Sequence, residues 1–328
     1  KNIHKNLISL RDKIKNFKDL RKYKKQIKKV EEEITVFHAK SVNKILKIKN
    51  IKIDFLGFHG QTIYHNTKKK ITKQIGDAKL LSKLTKKRVV YNFRENDIKN
   101  GGEGAPLTPI FHKLISFKNK FKLPNIFLNI GGITNFTFIG RSILRTKKIK
   151  NWYAGDLSLG NCLIDQWIRK RSNFFFDKDG KIAKSGKINK IILNQALQNY
   201  KIKKKSSLDI KDFDLSFVNN LSLKDGAATL TEYTAQILAN NLTMHMIDNV
   251  KIILCGGGRK NKLLIKKIKK KIPYPIFSID DYGINGDFIE SQAFAYLAIR
   301  SYLKLPISFP QSTGCKYPCS GGIIVRNF

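Results

Sequence analysis

Asp156 is the residue whose setting says most about chemistry. It lies in Asn151-Trp-Tyr-Ala-Gly-Asp156-Leu-Ser-Leu-Gly160-Asn161-Cys-Leu-Ile-Asp165-Gln-Trp167. An apolar strand is expected to end there, in a small-residue turn that opens a helix carrying Leu163, Ile164 and Trp167. A carboxylate at the mouth of such a turn can face a ligand while the helix start offers free N–H groups. Two glycine turns bracket it, Ile126-Phe-Leu-Asn-Ile-Gly131-Gly132-Ile-Thr-Asn135 and Ile252-Ile-Leu-Cys-Gly256-Gly257-Gly258. Each follows a strand-like apolar run. A carboxylate between two strand-then-glycine turns points to phosphoryl transfer more than to any other chemistry.

The other candidates carry less. Gly131-Gly132 would let backbone N–H groups approach a phosphate with no Cβ in the way, and a tight hairpin turn accounts for the pair equally well. Three successive glycines are a costly way to build a mere turn, so Gly256, Gly257 and Gly258 before a helix favour a nucleotide site. His59-Gly60-Gln61-Thr62 reads as a polar substrate loop or as a turn with a satisfied histidine. Arg94, with Asn92 and Asp97, shapes a loop or contacts an anion. Glu103 and Glu290 lie beside glycine or small residues in a chain with only 24 acids, and a surface position is the default for both. Asp177-Lys-Asp179-Gly180 resembles half an acidic metal loop but lacks the further ligands, so it reads as a turn and no protein metal site is expected.

These residues need elements to hold them. Apolar residues three or four apart from Leu7 to Phe37, with lysine between, predict a helix over 7–46. Ile51–Gly57 and Arg88–Asn92 read as strands, and the glycine-rich loop 100–109 opens a helix near Phe111 and His112. Residues 125–139 read as a hairpin, 186–250 as mostly helical with a lysine-rich connection at 201–212, 251–255 as a strand, and 261–268 and 290–303 as helices. Alternating strands and helices define an α/β fold. One glycine turn in each half of the chain suggests two similar lobes.

Composition sets limits. A chain of 328 residues, 41% apolar, is long enough for two lobes. Its net charge of +40 invites a nucleic-acid reading. Yet 53 of the 64 basic residues are lysine and 11 are arginine, where base-reading proteins lean on arginine forks. Lysine, asparagine and isoleucine all have AT-rich codons, so codon bias accounts for most of the excess. No specific nucleic-acid partner is expected. Cys162, Cys255, Cys315 and Cys319 lack disulfide or zinc spacing and fit reduced thiols in the cytoplasm. No apolar run approaches the roughly 20 residues needed to span a bilayer, and the first residues show no signal peptide, so no membrane partner is expected.

Taken in order, GFHGQTIYH (57–65), NFRENDIKNGGEGAPLTPIFH (92–112), NIGGITNFT (129–137), AGDLSLGNCLIDQW (154–167), DGAATLTEYTA (225–235), CGGGRKN (255–261), GDFIESQAFAYLAIR (286–300) and STG (312–314) resemble the anhydro-N-acetylmuramic acid kinase family. The match runs from about Glu32 to Gly322. The resemblance implies the two-lobed actin-like, ribonuclease-H-like sugar-kinase fold with a central cleft. The first lobe would be 1–123 plus 305–328, and the second, with the nucleotide-binding elements, 124–304. It implies an ATP-dependent kinase of cell-wall recycling that opens the 1,6-anhydro bond with water and phosphorylates the freed 6-hydroxyl. Magnesium would accompany ATP, the amino sugar would be the small-molecule partner, and a homodimer is a family-level expectation. By the same resemblance Asp156 is the general base. Gly131, Gly132 and Asn135 match a phosphate-binding hairpin, and Gly256, Gly257, Gly258 and Asn261 match the nucleotide side. His59, Gln61, Glu103, Pro106, Gly160, Asn161 and Glu290 fall in segments lining the sugar side.

Three departures stand out. Nothing in residues 1–48 matches the family's first phosphate hairpin, so the first lobe is expected to lack it. The usual Phe-Asp-Thr-Gly-Pro-Gly-Asn reads Gly155-Asp156-Leu157-Ser158-Leu159-Gly160-Asn161, which removes a hydroxyl at Leu157 and adds a Cβ at Ser158. Asn92 replaces the usual aspartate before Phe-Arg. A relative that keeps the fold without turnover is therefore the second reading, and a basic nucleic-acid-binding protein is the third.

Overall fold

The computed structural model describes residues 2–67, 69–141, 151–200, 208–245 and 249–328. In chain order the helices are α1 (Asn2–Lys13), α2 (Phe17–Lys22), α3 (Lys24–Lys49), α4 (Ala78–Thr85), α5 (Glu95–Lys99), α6 (Pro109–Lys118), α7 (Cys162–Arg171), α8 (Lys181–Lys184), α9 (Lys190–Asn199), α10 (Leu223–His245), α11 (Lys262–Lys269), α12 (Ile289–Tyr302) and α13 (Pro310–Thr313). The strands are β1 (Phe55–Gly57), β2 (Gln61–Asn66), β3 (Ile71–Ile75), β4 (Arg88–Tyr91), β5 (Asn125–Ile130), β6 (Ile133–Ile139), β7 (Trp152–Leu159), β8 (Lys251–Cys255), β9 (Ile276–Ser278) and β10 (Ile323–Val325). The chain divides into two compact units, Lys1–Phe111 with Glu290–Phe328, and His112–Ile289. The division falls within α6 and after the first residue of α12.

In the first unit, β1 and β10 flank β4, parallel and antiparallel respectively, and β2 pairs with β3 as a separate hairpin. The residue pattern predicts one helix over 7–46, but the chain builds three. Asn16 is extended (φ −145°, ψ 174°) and accepts a hydrogen bond from the Lys18 N–H, while Asp19 accepts from the Asn16 N–H. This reciprocal cap starts a new helix where apolar periodicity alone runs on. The helices still bury one stripe: Leu10, Ile14, Ile27, Val30 and Ile34 pack against Ile63, Tyr64 and Ile75 of the hairpin. The strand expected from Ile51 is shorter, because only Phe55–Gly57 pairs with β4.

The second unit holds one mixed sheet in the order β7-β6-β5-β8-β9. β5 and β6 form the expected hairpin, β6 pairs antiparallel with β7, and β5, β8 and β9 run parallel. One face carries Ile126, Leu128, Ile130, Ile252 and Leu254 and is covered by Ala235, Leu238 and Leu242 of α10 and Leu264 and Ile268 of α11. A second cluster surrounds Trp167 of α7, whose indole N–H donates to the Leu223 carbonyl at 2.9 Å. The opposite face of the sheet carries Phe127 and Thr137. There the ring of His112 stacks on Phe127 at 4.9 Å and hydrogen-bonds Thr137 Oγ1 at 2.9 Å. Both bracketing glycine turns belong to this unit. β5 and β8 are parallel neighbours, so turns far apart in sequence leave the same end of one sheet.

Candidate active site

Three turns meet at that end of the second sheet. Gly131-Gly132 follows β5, Gly160-Asn161 follows β7, and Gly256–Gly258 follows β8. The Gly160 N–H donates to the Gly132 carbonyl at 2.9 Å and the Asn161 N–H to the Gly131 carbonyl at 2.8 Å. A Cβ on Gly160 would lie 2.3 Å from the Gly131 oxygen. Gly256 has φ +76° and abuts Asn129 Oδ1, and a Cβ on Gly258 would lie 2.3 Å from Ile130 Cγ2 and 2.8 Å from Asn161 Nδ2. Backbone crowds Gly160 and Gly256, and the side chains of Ile130 and Asn161 crowd Gly258, so none has room for a Cβ. Gly257 differs, since a Cβ there would meet nothing within 4 Å. Its backbone is open to a ligand.

The register supplies the polar groups beside these turns. Asp156 stands opposite Asn135, Asn135 opposite Asn129, and Asn129 opposite Cys255. Direct cross-strand neighbours share a face, so a carboxylate and two amides form one row next to the glycine turns. Asp156 accepts the Leu208 N–H at 2.8 Å. The strand does not end at Asp156 as the residue types suggest, but continues to Leu159 through a bulge: Asn135 pairs with Asp156 and Thr134 with Ser158, leaving Leu157 as the extra residue. Leu157 packs on the α10-covered cluster, and Ser158 is buried with its hydroxyl donating to the Leu159 carbonyl.

Behind the turns sits a network that residue types alone do not reveal. Arg259 donates to Asp280 at 2.7 Å, to Asp287 at 2.8 Å and to the Gly256 carbonyl at 3.0 Å, and Lys260 pairs with Asp287 at 2.5 Å. The Arg259 hydrogen bond, with those of Gly286 N–H and Ser278, holds the Asp280 carboxyl far below the usual carboxylate range. The signal available was a group of retained acids, Asp280, Asp281 and Asp287, in a basic chain. Asn261 caps α11, its Oδ1 accepting the Leu264 N–H at 3.1 Å. One turn into α7, burial raises the Asp165 carboxyl to about 6, opposed by Arg169 and reinforced by Asp177. Asp177 itself accepts the Ile182 and Ala183 N–H groups in the first turn of α8.

The remaining sequence-predicted residues lie in the first unit. His59 is held neutral. Arg94 donates to its Nε2 at 2.8 Å, so its Nδ1–H donates to the Gly60 carbonyl at 2.9 Å. Burial first, and the Arg94 charge second, lower its pKa to about 3. Arg94 also bonds the Gly104 carbonyl, and Asp97 accepts the Gly104 N–H and the Thr313 hydroxyl, each at 2.6 Å. The loop bearing Glu103 and Pro106 is thus tied to His59 through Arg94. Glu290 is exposed in the first turn of α12, one turn before Phe294, whose ring lies 4.5 Å from His59. Gln61 is exposed at the start of β2. Asn92 adopts φ +59°, a left-handed conformation that asparagine tolerates well.

The second unit is thus a mixed α/β sheet with a carboxylate, two amides and three glycine turns gathered at one strand end. The family model described as anhydro-N-acetylmuramic acid kinase matches residues 7–327. Anhydro-N-acetylmuramic acid kinase of Pelagibacter ubique (strain HTCC1062) is 50% identical, covering 99% of this chain and 88% of that protein. The enzyme of that name from Zymomonas mobilis subsp. mobilis is 38% identical over 91% of this chain and 81% of its own. Among solved structures, the activator of the 2-hydroxyisocaproyl-CoA dehydratase from Clostridium difficile with bound ADPNP covers 56% of this chain and 65% of its own, at 12% identity and a TM-score of 0.33, too distant to carry weight. The chain belongs to the anhydro-N-acetylmuramic acid kinase family.

Among the described residues, no helix is long and apolar enough to cross a membrane. Likewise, no group of three or more His, Cys, Asp or Glu side chains there could hold a metal ion. The open backbone at Gly257 and the glycines around it fit a polyphosphate approached by N–H groups.

Proposed function

We propose that this protein is an ATP-dependent kinase that opens 1,6-anhydro-N-acetylmuramic acid with water and phosphorylates the freed 6-hydroxyl, in cytoplasmic recycling of peptidoglycan. The names of its relatives support the substrate. The observation that carries the mechanism is the row Asp156–Asn135–Asn129 beside the three glycine turns. Asp156 takes a proton from the water that attacks the anomeric carbon, and the bond from that carbon to the bridging oxygen breaks. The bridging oxygen leaves as the 6-oxyanion and attacks the γ-phosphorus in line, the bond from that phosphorus to the ADP oxygen breaks, and Asp156 then gives its proton to solvent. Asn135 and Asn129 offer amide donors beside the carboxylate, and the Gly256–Gly258 turn offers backbone to the phosphates. Magnesium bound with the nucleotide would neutralise phosphate charge. His59, Arg94 and the Glu103–Pro106 loop serve the sugar, with His59 neutral and fixed in one tautomer. Four free buried thiols fit a cytoplasmic setting.

The test is Asp156→Asn in the full-length protein, assayed for ADP release and sugar phosphate with the anhydro sugar and magnesium-ATP. Loss of a general base costs on the order of 100- to 10,000-fold, while nucleotide binding should persist. Turnover within a few-fold of the parent would remove Asp156 from the mechanism. A parent that binds both substrates without turnover would favour the non-catalytic reading.

A further inference from the structure

Among the described residues of the second unit, Arg259 makes four side-chain hydrogen bonds beside the Gly256–Gly258 turn. Its side chain is only 4% exposed. Nε and Nη2 both bond Asp280, Nη2 also bonds Asp287, and Nη1 bonds the Gly256 carbonyl. A guanidinium has five N–H donors, so these four bonds leave little for a ligand. Two carboxylates, Asp280 and Asp287, offset the charges of Arg259 and Lys260. A neutralised, enclosed guanidinium is poorly suited to bind phosphate directly.

Its placement suits a different task. Through Gly256 it holds the turn that ends β8, and through Asp280 and Asp287 it holds the segment between β9 and α12. That segment is folded around it: the Gly286 N–H donates to Asp280 Oδ1 at 2.9 Å and the Ser278 hydroxyl to Asp280 Oδ2 at 2.7 Å. A Cβ on Gly286 would lie 2.4 Å from Arg259 Nε, so a side chain there would have to push the guanidinium out of its present bonds. The bond from Nη1 also fixes which way the Gly256 carbonyl points, just ahead of the open Gly257. Lysine could supply the charge, but its point cation cannot make the planar fork to two carboxylates and a carbonyl.

We propose that Arg259 is a positioning residue for the nucleotide: with Asp280 and Gly286 it locks the Gly256–Gly258 turn in its ligand-ready shape and sets nucleotide affinity without touching the phosphates. The inference rests on the reading of that turn as the nucleotide side of a kinase. It predicts that the effect falls on one substrate only.

The experiment compares full-length parent, Arg259→Gln, Arg259→Lys and Asp280→Asn. ADP binding is measured by calorimetry, KM is measured for magnesium-ATP and for the anhydro sugar, and thermal unfolding is run alongside. Arg259→Gln should weaken ADP binding and raise the KM for ATP about tenfold or more, leaving the KM for sugar within twofold and kcat within about threefold. Arg259→Lys should recover only part of the loss. Asp280→Asn should weaken nucleotide binding in the same direction, and adding it to Arg259→Gln should cost less than the sum, as expected for residues sharing one network. An unchanged KM for ATP, an equal rise in both KM values, or full recovery by lysine would each overturn the proposal. If the parent binds ADP but does not phosphorylate the anhydro sugar, the sugar reading fails while the ADP titrations still decide the role of Arg259. A parent that binds no nucleotide overturns both.

Discussion

Two glycines one residue apart have opposite physical standing. Gly258 has no room for a methyl group, because Ile130 and Asn161 occupy the space, whereas Gly257 has open space and no left-handed φ. Gly258→Ala should therefore destabilise the second unit by about 1 to 3 kcal/mol through overpacking. Gly257→Ala should leave the melting temperature within about two degrees, a surface-sized change. If phosphates approach the Gly257 backbone, the same harmless methyl will weaken ADP binding at least tenfold. Calorimetry beside thermal unfolding separates the two effects, and full ADP affinity in Gly257→Ala would move the nucleotide elsewhere. Asp165 is a second residue whose cost can be read. Its carboxyl is raised to about 6, so the folded state resists its ionisation. A raised carboxyl contributes stability that is present at acid pH and lost as pH rises through about 6. Asp165→Asn should thus stabilise the protein at pH 7.5, by on the order of 1 to 2 kcal/mol, and the gain should vanish near pH 4. Denaturant midpoints at both pH values check this, and a variant destabilised at pH 7.5 would show that the charge is needed there.

At the scale of elements, α6 and the sheet share a titratable contact. His112 is buried against Phe127 and Thr137, and burial lowers its pKa to about 3. The unfolded chain titrates near 6.5, so the unfolded state takes up an extra proton between those values. Stability is therefore full above about 6.5 and falls as pH drops toward 3. His59 acts in the same direction in the first unit, where burial and Arg94 keep it neutral. Denaturant unfolding from pH 7.5 to 4.5 should show stability falling with acidity, and His112→Asn should remove about one proton from that dependence. Equal slopes in parent and variant would refute the assignment. Elements of this kind show what was legible in the sequence. The glycine turns, the β5–β6 hairpin and the helix after Gly258 were readable because periodicity and turn chemistry are local. The row joining Asp156, Asn135 and Asn129 was not, because a single bulge at Leu157 sets which residues face each other. Nor was the meeting of the Gly131 and Gly256 turns in one unit, since parallel pairing of β5 with β8 joins residues 126 positions apart (Asn125 with Lys251). The break at Asn16 was missed because apolar spacing continues through it while a side-chain cap restarts the helix. The role of Arg259 is not legible from residue types, because its two carboxylate partners lie 21 and 28 residues away.

For the whole molecule, the charge of +40 must coexist with a site that handles anionic substrates. A field of that sign draws polyanions toward any part of the surface. Specific recognition would need arginine forks at base edges or aromatic platforms interleaved with cations. Here 53 of 64 cations are lysine. Several of the arginines are committed internally: Arg94 to His59 and Gly104, Arg259 to Asp280 and Asp287, and Arg300 to the Pro306 carbonyl. The buried cation beside the glycine turns is itself neutralised, so the site does not depend on the surface excess. Two consequences separate cleanly. Binding to unrelated duplexes and single strands should be similar for all, and should fall linearly in log K against log salt as counterion release demands. Affinity for ADP should change much less over the same salt range, because backbone N–H groups fixed in a turn release far fewer counterions than exposed lysines. Fluorescence anisotropy with labelled nucleic acids and calorimetry with ADP, both from 50 to 300 mM salt, give the two slopes (about a sixfold range, chosen to span the regime where screening changes most). A strong preference for one nucleic-acid sequence that survives physiological salt would revive the nucleic-acid reading. An ADP slope as steep as the nucleic-acid one would mean that surface lysines, rather than the Gly256–Gly258 turn, hold the nucleotide.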